Sequence, residues 1–421
     1  ERTGVTADAL RAWERRYGLP DPARTEAGHR VYAQRDIDII KWLVSRQEEG
    51  LRIGRAVKLW ESLEAEGQDP LRSMPMSTAT SAPRRPVGET VAEFRDAWVA
   101  ACLVFDEQGA ERVLAEALAI YPPDLVFTSI IGAGMAEIGH QWYIGNATPH
   151  QEHFASELAM RRLRSLIEAT PPPTRRGRIL TTCPPGEEHT LGMVTYVLLL
   201  RRAGWDVVPL GADVPLPALR PTIDIVAPDL IVAAAQRLQT AATLLDVAHL
   251  ARELGIPLAY GGRIFNEEPS LRRRIPGHFL GATVDKAVQE TEKLMTIAPR
   301  LPDAEPTSDA AKATRDYFLS MLPALEAHVC RFLGPGPLDP QTVRDLNAGV
   351  GGAIAAAVRF EDMELLENYL DWLEGHEEPN GSGADEIATY IRAFAEATRA
   401  ELDTPGAPIV EWFSERVGGA S

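Results

Sequence analysis

Cysteine is scarce: Cys102, Cys183 and Cys330 are the three in 421 residues, and they stand far apart. So few and so scattered, they exclude a disulfide framework and suit reduced thiols in the cytoplasm. Long apolar runs are missing too. None reaches the roughly 18 residues that a membrane helix needs, and no stretch has the pattern of a secretory signal. These absences predict a soluble, cytoplasmic chain that uses no membrane. At this length a single core is excluded and about three domains are expected. Basic charge is sparse and uneven. The net charge is −17, yet residues 1–60 carry 12 Lys/Arg against 9 Asp/Glu, while residues 301–421 carry 8 against 22. A basic head on an acidic chain predicts that the head alone meets an anionic partner.

What is present centres on Gly186-Glu187-Glu188-His189-Thr190-Leu191-Gly192. It follows an apolar run over 178–183 that reads as a buried strand, and it precedes an apolar helix over 192–203. The turn therefore places an imidazole at the carboxyl edge of a parallel sheet, where open α/β sheets bind ligands. Glu187 can take a hydrogen bond from one ring nitrogen of His189, leaving the other as a lone pair for a metal. Gly192 lets something bulky approach the helix start. Further strands precede Leu210-Gly211-Ala212-Asp213, cover 230–235, and end at Tyr260-Gly261-Gly262-Arg263. This series resembles the cobalamin-binding domains of methionine synthase, the mutases and the light-sensing repressors, over about 177–298. The Asp/Glu-x-His-x-x-Gly and Gly-Gly motifs are in place. Ala234 and Gln236 stand where that family often has hydroxyls. The resemblance implies that His189 is the lower axial ligand of cobalt, with Gly261 and Gly262 beside a cofactor tail that enters the sheet.

The head, 1–66, begins with a helix over 7–17, Thr6 as its N-cap, and Leu10, Trp13 and Tyr17 on one face. Gly18-Leu19-Pro20 ends it. A Gly-centred turn follows in Arg24-Thr25-Glu26-Ala27-Gly28-His29-Arg30-Val31-Tyr32, and a second helix starts at Gln34. The string Leu10-Arg11-Ala12-Trp13-Glu14-Arg15-Arg16-Tyr17-Gly18-Leu19, with Gly28-His29-Arg30-Val31-Tyr32, closely resembles the MerR winged helix-turn-helix. The resemblance implies duplex DNA as partner, with Arg11, Arg15 and Arg16 at base edges or nearby phosphates, and Arg30 and Tyr32 on the wing at phosphates. The chain opens inside that motif, so part of the first helix is expected to precede it. Residues 67–88, rich in Ser, Pro and Thr, read as a linker.

Residues 89–170 show helical apolar spacing over 91–105, 110–119, 124–142 and 149–169. Four helices directly before such a sheet resemble the cap bundle of methionine synthase and of CarH-type photoreceptors. The resemblance implies that Trp142, Glu152 and His153 line the upper corrin face. Tyr143 stands where that family has the His that captures cobalt after light, which leaves His140, His150 and His153 as the nearby imidazoles. After a Pro-rich linker over 299–308, helices are expected over 310–332, 340–358, 362–376, 385–402 and 409–417, an all-α domain within 305–421. This extra domain resembles the bilin-binding part of the photocobilins. A bilin needs an apolar slot, cations for two propionates and a polar group near its nitrogens. Tyr317, Phe318, Phe332, Tyr369, Trp372 and Tyr390 supply aromatics. Arg331, Arg344 and Arg359 are the candidate cations, with His328 or Asp316 for the nitrogens. Cys330 offers a thioether, but a helical cysteine is commonly buried as a small hydrophobe, so non-covalent biliverdin is favoured. An oligomerisation bundle is the other reading of these helices.

The fold class expected is a multidomain α and α/β chain: winged helix-turn-helix, four-helix bundle, Rossmann-like cobalamin-binding domain and C-terminal all-α domain. The function expected is a light-responsive transcription regulator that uses adenosylcobalamin, is not an enzyme, and assembles as a homo-oligomer, dimer or tetramer. A cobalamin-abundance sensor without photochemistry and a cobalamin-dependent methyltransferase or mutase component are the alternatives. The absence of a second catalytic barrel, and a DNA-binding head, weigh against the last.

Overall fold

The computed structural model describes residues 5, 7–20, 22–24, 30–48, 53, 54, 56–58, 60, 90–297, 301–334, 338–375 and 384–418. The chain forms two compact units, Glu1–Val87 and Gly88–Ser421. Among the described residues no helix is long and apolar enough to cross a membrane. The N-cap expected at Thr6, the turn at 25–29, the linker at 67–88 and the end of the helix expected to reach His376 lie outside the described residues.

In the first unit, α1 (Ala7–Tyr17) is followed by the short strands β1 (Ala23–Arg24) and β2 (Arg30–Val31), then α2 (Gln34–Glu48). The strands pair antiparallel, Ala23 with Val31 and Arg24 with Arg30, forming the wing. The core is small and aromatic. Trp42 and Trp60 meet edge to face at 5.2 Å, with Ile39, Leu43 and Val57 buried and Trp13 and Tyr17 packed against them.

The second unit begins with four helical segments. Thr90 caps α3 (Val91–Leu103) through a reciprocal box with Glu93. Asp106 caps α4 (Glu107–Ile120) by accepting from the Gly109 N–H at 2.9 Å. The third segment runs through Pro123–Leu125, a π-helical stretch Val126–Gly132, and α5 (Ala133–Tyr143). The residue pattern suggests one uninterrupted helix over 124–142; the widened turn inside it holds Val126, Phe127, Ile130 and Ile131 all buried. Thr148 and Gln151 form a second capping box at α6 (Pro149–Glu168), with Pro149 at its first position. Phe94, Trp98 and Cys102 recur every four residues on α3 and fill the bundle core. Gly134 is required beneath Trp98, because a Cβ there would lie 2.8 Å from its ring.

The sheet has five parallel strands in the order β4-β3-β5-β6-β7. They are β3 (Arg178–Thr182), β4 (Asp206–Pro209), β5 (Leu230–Ala234), β6 (Leu258–Gly261) and β7 (His278–Phe279). Alternate residues serve opposite faces, as a period of two requires. Leu180, Ile231, Ala233, Leu258 and Tyr260 face one core. Ile179, Val207, Leu230, Val232 and Ala259 face the other. Helices α7 (Leu191–Arg202) and α10 (Val284–Thr296) cover the second face, and α8 (Leu216–Val226) and α9 (Leu238–Glu253) the first. Helix α7 is apolar all round because it is covered all round: Met193, Tyr196, Val197 and Leu200 meet the sheet side, while Leu198 enters the bundle core.

Among the described residues five α-helices close the chain: α11 (Asp309–Leu333), α12 (Pro340–Phe360), α13 (Leu365–Gly375), α14 (Ala384–Glu401) and α15 (Ala407–Gly418). They do not stand apart. Phe318, Leu325, Val350, Ile354, Leu370, Tyr390 and Phe413 belong to the same continuous core as Leu180, Ile231, Leu244 and Leu258 of the sheet domain. Trp98→Ala should cost about 3–5 kcal/mol by removing a fully buried indole; a fall in the denaturant midpoint measured on the whole chain checks it, and an unchanged midpoint would contradict the packing described.

Candidate functional site

The strand order reverses between β3 and β5, the first and third strands of the sheet, and the crevice at that switch point is where ligands bind in such sheets. The loop after β3 carries Glu187 and His189. The loop after β5 carries Gln236. The two loops meet through one carboxylate. Glu187 is fully buried. Its Oε1 lies 2.7 Å from His189 Nδ1 and accepts the His189 backbone N–H at 3.0 Å. Its Oε2 accepts the Gln236 N–H at 2.7 Å and the Thr240 hydroxyl at 2.5 Å. Burial alone would raise this carboxyl's pKa. The hydrogen bonds from the His189 ring, Thr240, the Gln236 N–H and the His189 N–H outweigh it and bring the carboxyl to about 2. An ionised acceptor of this kind puts the imidazole proton on Nδ1 and leaves Nε2 as a lone pair. The His189 side chain is 62% exposed, so that lone pair is available above the sheet edge.

The loop itself is tied on every side. The Gly186 N–H donates to Asp213 at 2.7 Å, Arg237 to the Gly186 carbonyl at 2.6 Å, and the Thr243 hydroxyl to the Pro185 carbonyl at 2.7 Å. Beside it a cleft of about 280 Å³ runs into the sheet domain. Gly192, Ala234, Gln236, Gly261 and Gly262 all line it, together with Met193, Tyr196 and Thr283. A Cβ at Gly192 or Gly261 would project into open space. Gly262 adopts φ +122°, and a Cβ there would sit 1.9 Å from the Ala235 carbonyl oxygen. The walls are joined by a buried 2.5 Å hydrogen bond between the Tyr196 and Thr291 hydroxyls. These residues fit a cobalamin: one free imidazole nitrogen at the switch point, and a slot floored by glycines for its tail.

Thr240 is the residue that motif reading passes over. The hydroxyl expected near Ala234 and Gln236 sits further on, in the first turn of α9, and Gln236 contributes its backbone N–H instead. A Thr in the first turn of the helix after β5 was the available signal.

At the bundle end, Glu152 and His153 lie on the first turn of α6. Their carboxylate and ring are 3.8 Å apart, with His153 well exposed. Gln151 Nε2 donates to the Leu103 carbonyl at 2.6 Å, pinning α6 to the end of α3. Phe105, at φ +57°, packs edge to face on Phe154 at 5.3 Å. Trp142 is half-buried near the end of α5, and His140 and His150 are exposed. The side chain of Tyr143 lies outside the described residues. In the head, Arg11, Arg15 and Arg16 are exposed on α1 and Tyr32 is half-buried. Arg30 Nε donates to Glu14 at 2.5 Å, so the wing is tied to α1.

The residues considered for a bilin fall into separate groups. His328 and Arg331 both reach Glu401, at 2.9 and 3.4 Å. Arg344 bonds Gln341 at the start of α12, about 22 Å along that helix from Arg359. Arg359 makes a two-pronged ion pair with Asp246 of α9. Arg359 and Asp316 share a cleft of about 400 Å³ with His249, Lys312 and Arg315. Tyr369 and Trp372 stack on α13 with ring centres 6.1 Å apart, and Trp372 is partly exposed. Phe318 and Tyr390 are core, with the Tyr390 hydroxyl donating to Asn347 at 2.9 Å. The Tyr317 hydroxyl accepts the Asp403 N–H, and Phe332 is exposed. Cys330 corrects the expectation of a buried thiol: it is exposed, because the neighbouring Val329 takes the inward position on α11.

Residues 1–63 match the family of MerR HTH regulatory proteins, and residues 95–167 match the B12 binding domain. The architecture is therefore that of a MerR-type regulator that binds DNA and cobalamin, rather than of an enzyme. The chain is 32% identical over 281 residues to the HTH-type transcriptional repressor CarH of Myxococcus xanthus, covering 66% of this chain and 91% of that protein. It is 31% identical over 231 residues to the repressor CarA of the same organism, covering 54% of this chain and 72% of that one. It belongs to their family. Trimethylamine corrinoid protein 1 of Methanosarcina acetivorans is 30% identical over 158 residues, 36% of this chain and 73% of that protein. Removing an outer partner of a metal-bound imidazole costs about 10–100-fold in affinity. Thr240 bonds that partner and not the ring, so Thr240→Val should lower cobalamin affinity less, by about fivefold, the value of one hydrogen bond of ~1 kcal/mol, in an absorbance titration; affinity equal to that of the parent chain would remove Thr240 from the site.

Proposed function

We propose that this chain is a light-responsive transcription regulator that holds adenosylcobalamin between its helical bundle and its parallel sheet, with a bilin as a second chromophore. The observation that carries the reading is the Glu187–His189 pair at the switch point, with Nε2 open. A second observation supports an occupant at the bundle end. Val104 and Phe105, just past α3, and Ile144, two residues beyond Trp142, are large apolar side chains left 71%, 51% and 44% exposed, and exposed apolar surface of this kind marks a binding face. Bound there, adenosylcobalamin would supply a cobalt–carbon bond that light can break. The protein's own part is to orient the lower imidazole through Glu187 and to enclose the upper face with Trp142, Glu152 and His153. Biliverdin is assigned to the C-terminal helices. The chain acts in the cytoplasm as a dimer or tetramer that pairs two heads on an inverted repeat.

Absorption of the purified, adenosylcobalamin-loaded chain should change irreversibly under green light, and supplying biliverdin should add a red band that survives gel filtration. His189→Ala should lose most bound cobalamin. Full retention in that variant would refute the ligand assignment, and spectra insensitive to light would leave a cobalamin-abundance sensor. In the head, Arg30→Ala should lower the salt slope of DNA binding by roughly one, the value of one phosphate contact. An unchanged slope and affinity would take the wing off the DNA.

A further inference from the structure

The first turn of α9 has two sides. One side holds the loop of the lower ligand: the Gln236 N–H and Thr240 bond Glu187, and Arg237 bonds the Gly186 carbonyl. The other side is held by the C-terminal helices. Gln239 Nε2 donates to the Gly349 carbonyl of α12 at 3.1 Å. A Cβ at Gly352 would lie 3.1 Å from Gln239 Cγ, so α12 comes this close because it has glycine there. A Cβ at Gly349 would lie 2.4 Å from the Tyr369 hydroxyl oxygen, so the phenol from α13 occupies the space the missing side chain leaves. Burial pushes that phenol up to about 12, with Arg237 and Gln239 near enough to pull it back. Gln239 Oε1 is buried in the same place with no well-formed hydrogen bond. A buried amide oxygen left unmet costs free energy, so the contact of Gln239 with α12 is held below its optimum.

We propose that Gln239 and Tyr369 are positioning residues for the lower cobalt ligand: through the first turn of α9, the C-terminal helices set how firmly Glu187 holds His189. This rests on the assignment of His189 as that ligand. The coupling is reciprocal, as any linkage between two sites is. Cobalamin binding tightens the seam between α9 and α12, and whatever shifts α12 or α13 alters the axial imidazole.

The test uses the full chain, with adenosylcobalamin in the dark as the probe. Gln239→Ala should lower affinity about five- to tenfold and shift the visible band toward the form without an imidazole. In the cofactor-free protein it should speed amide exchange at 184–190. Gly349→Ala should act in the same direction by displacing the Tyr369 hydroxyl. The pair Gly349→Ala with Tyr369→Phe, which removes the oxygen in the way, should restore affinity, the visible band and exchange at 184–190 together; recovery of folding stability without recovery of the band and the exchange would overturn the coupling. Should Gly349→Ala fail to fold, Gln239→Ala carries the test alone. Parent-like exchange at 184–190 together with a parent-like band in Gln239→Ala would overturn the proposal. Cobalamin binding undiminished in His189→Ala would instead remove the ligand assignment, and exchange in the cofactor-free Gln239→Ala protein would still decide whether the seam reaches the loop.

Discussion

A carboxylate sealed from water governs the carboxyl edge of the sheet. An ionised group at full burial is tolerable when its lone pairs are occupied, and the donors Glu187 uses come from the two loops that flank the switch point and from the first turn of α9. Any displacement of the 184–190 loop, or of the first turn of α9, would strand that charge. The geometry of His189 is thus not a local property of its own turn. It is fixed by residues 49 and 53 positions beyond Glu187, through strand pairing that puts β5 next to β3.

That dependence also explains which parts could be read in advance. The 178–183 run, the α/β alternation and the period of the bundle helices are carried by neighbours in sequence, and the structure has elements at those places. The Glu187–His189 pair is two residues apart and was equally legible. Thr240 was not, because its partner lies 53 residues away and its place in the first turn after β5 is a signal that no neighbour in sequence reinforces. The π-helical turn at Val126–Gly132 is a slip in backbone hydrogen bonding that leaves the side-chain period nearly intact. The glycines at 349, 351 and 352 argue on propensity for a weak helix, whereas here they set the approach distance of Tyr369, Leu322 and Gln239. Cys330 shows the limit of residue-type averages: one step along a helix turns a side chain through 100°.

Helix α9 packs on more than one side. Leu238, Ala241, Ala242, Leu244, Leu245, Val247, Ala248 and Ala251 are buried. Polar residues of the same helix also fix it to α12: Gln239 bonds the Gly349 carbonyl, and Arg359 locks the pair from the rim through Asp246.

The shared core has a consequence for modularity. Cutting this chain near residue 300 would not release a stand-alone sheet domain, since the part of its core that the last five helices complete would then be uncovered. Nor could the last five helices be grafted as a cassette onto a relative whose corresponding helix is polar outside. The chain divides at Val87–Gly88 into two compact units. Within the second, the sheet and the last five helices share one core and are therefore inherited together, so a change in either is felt by both.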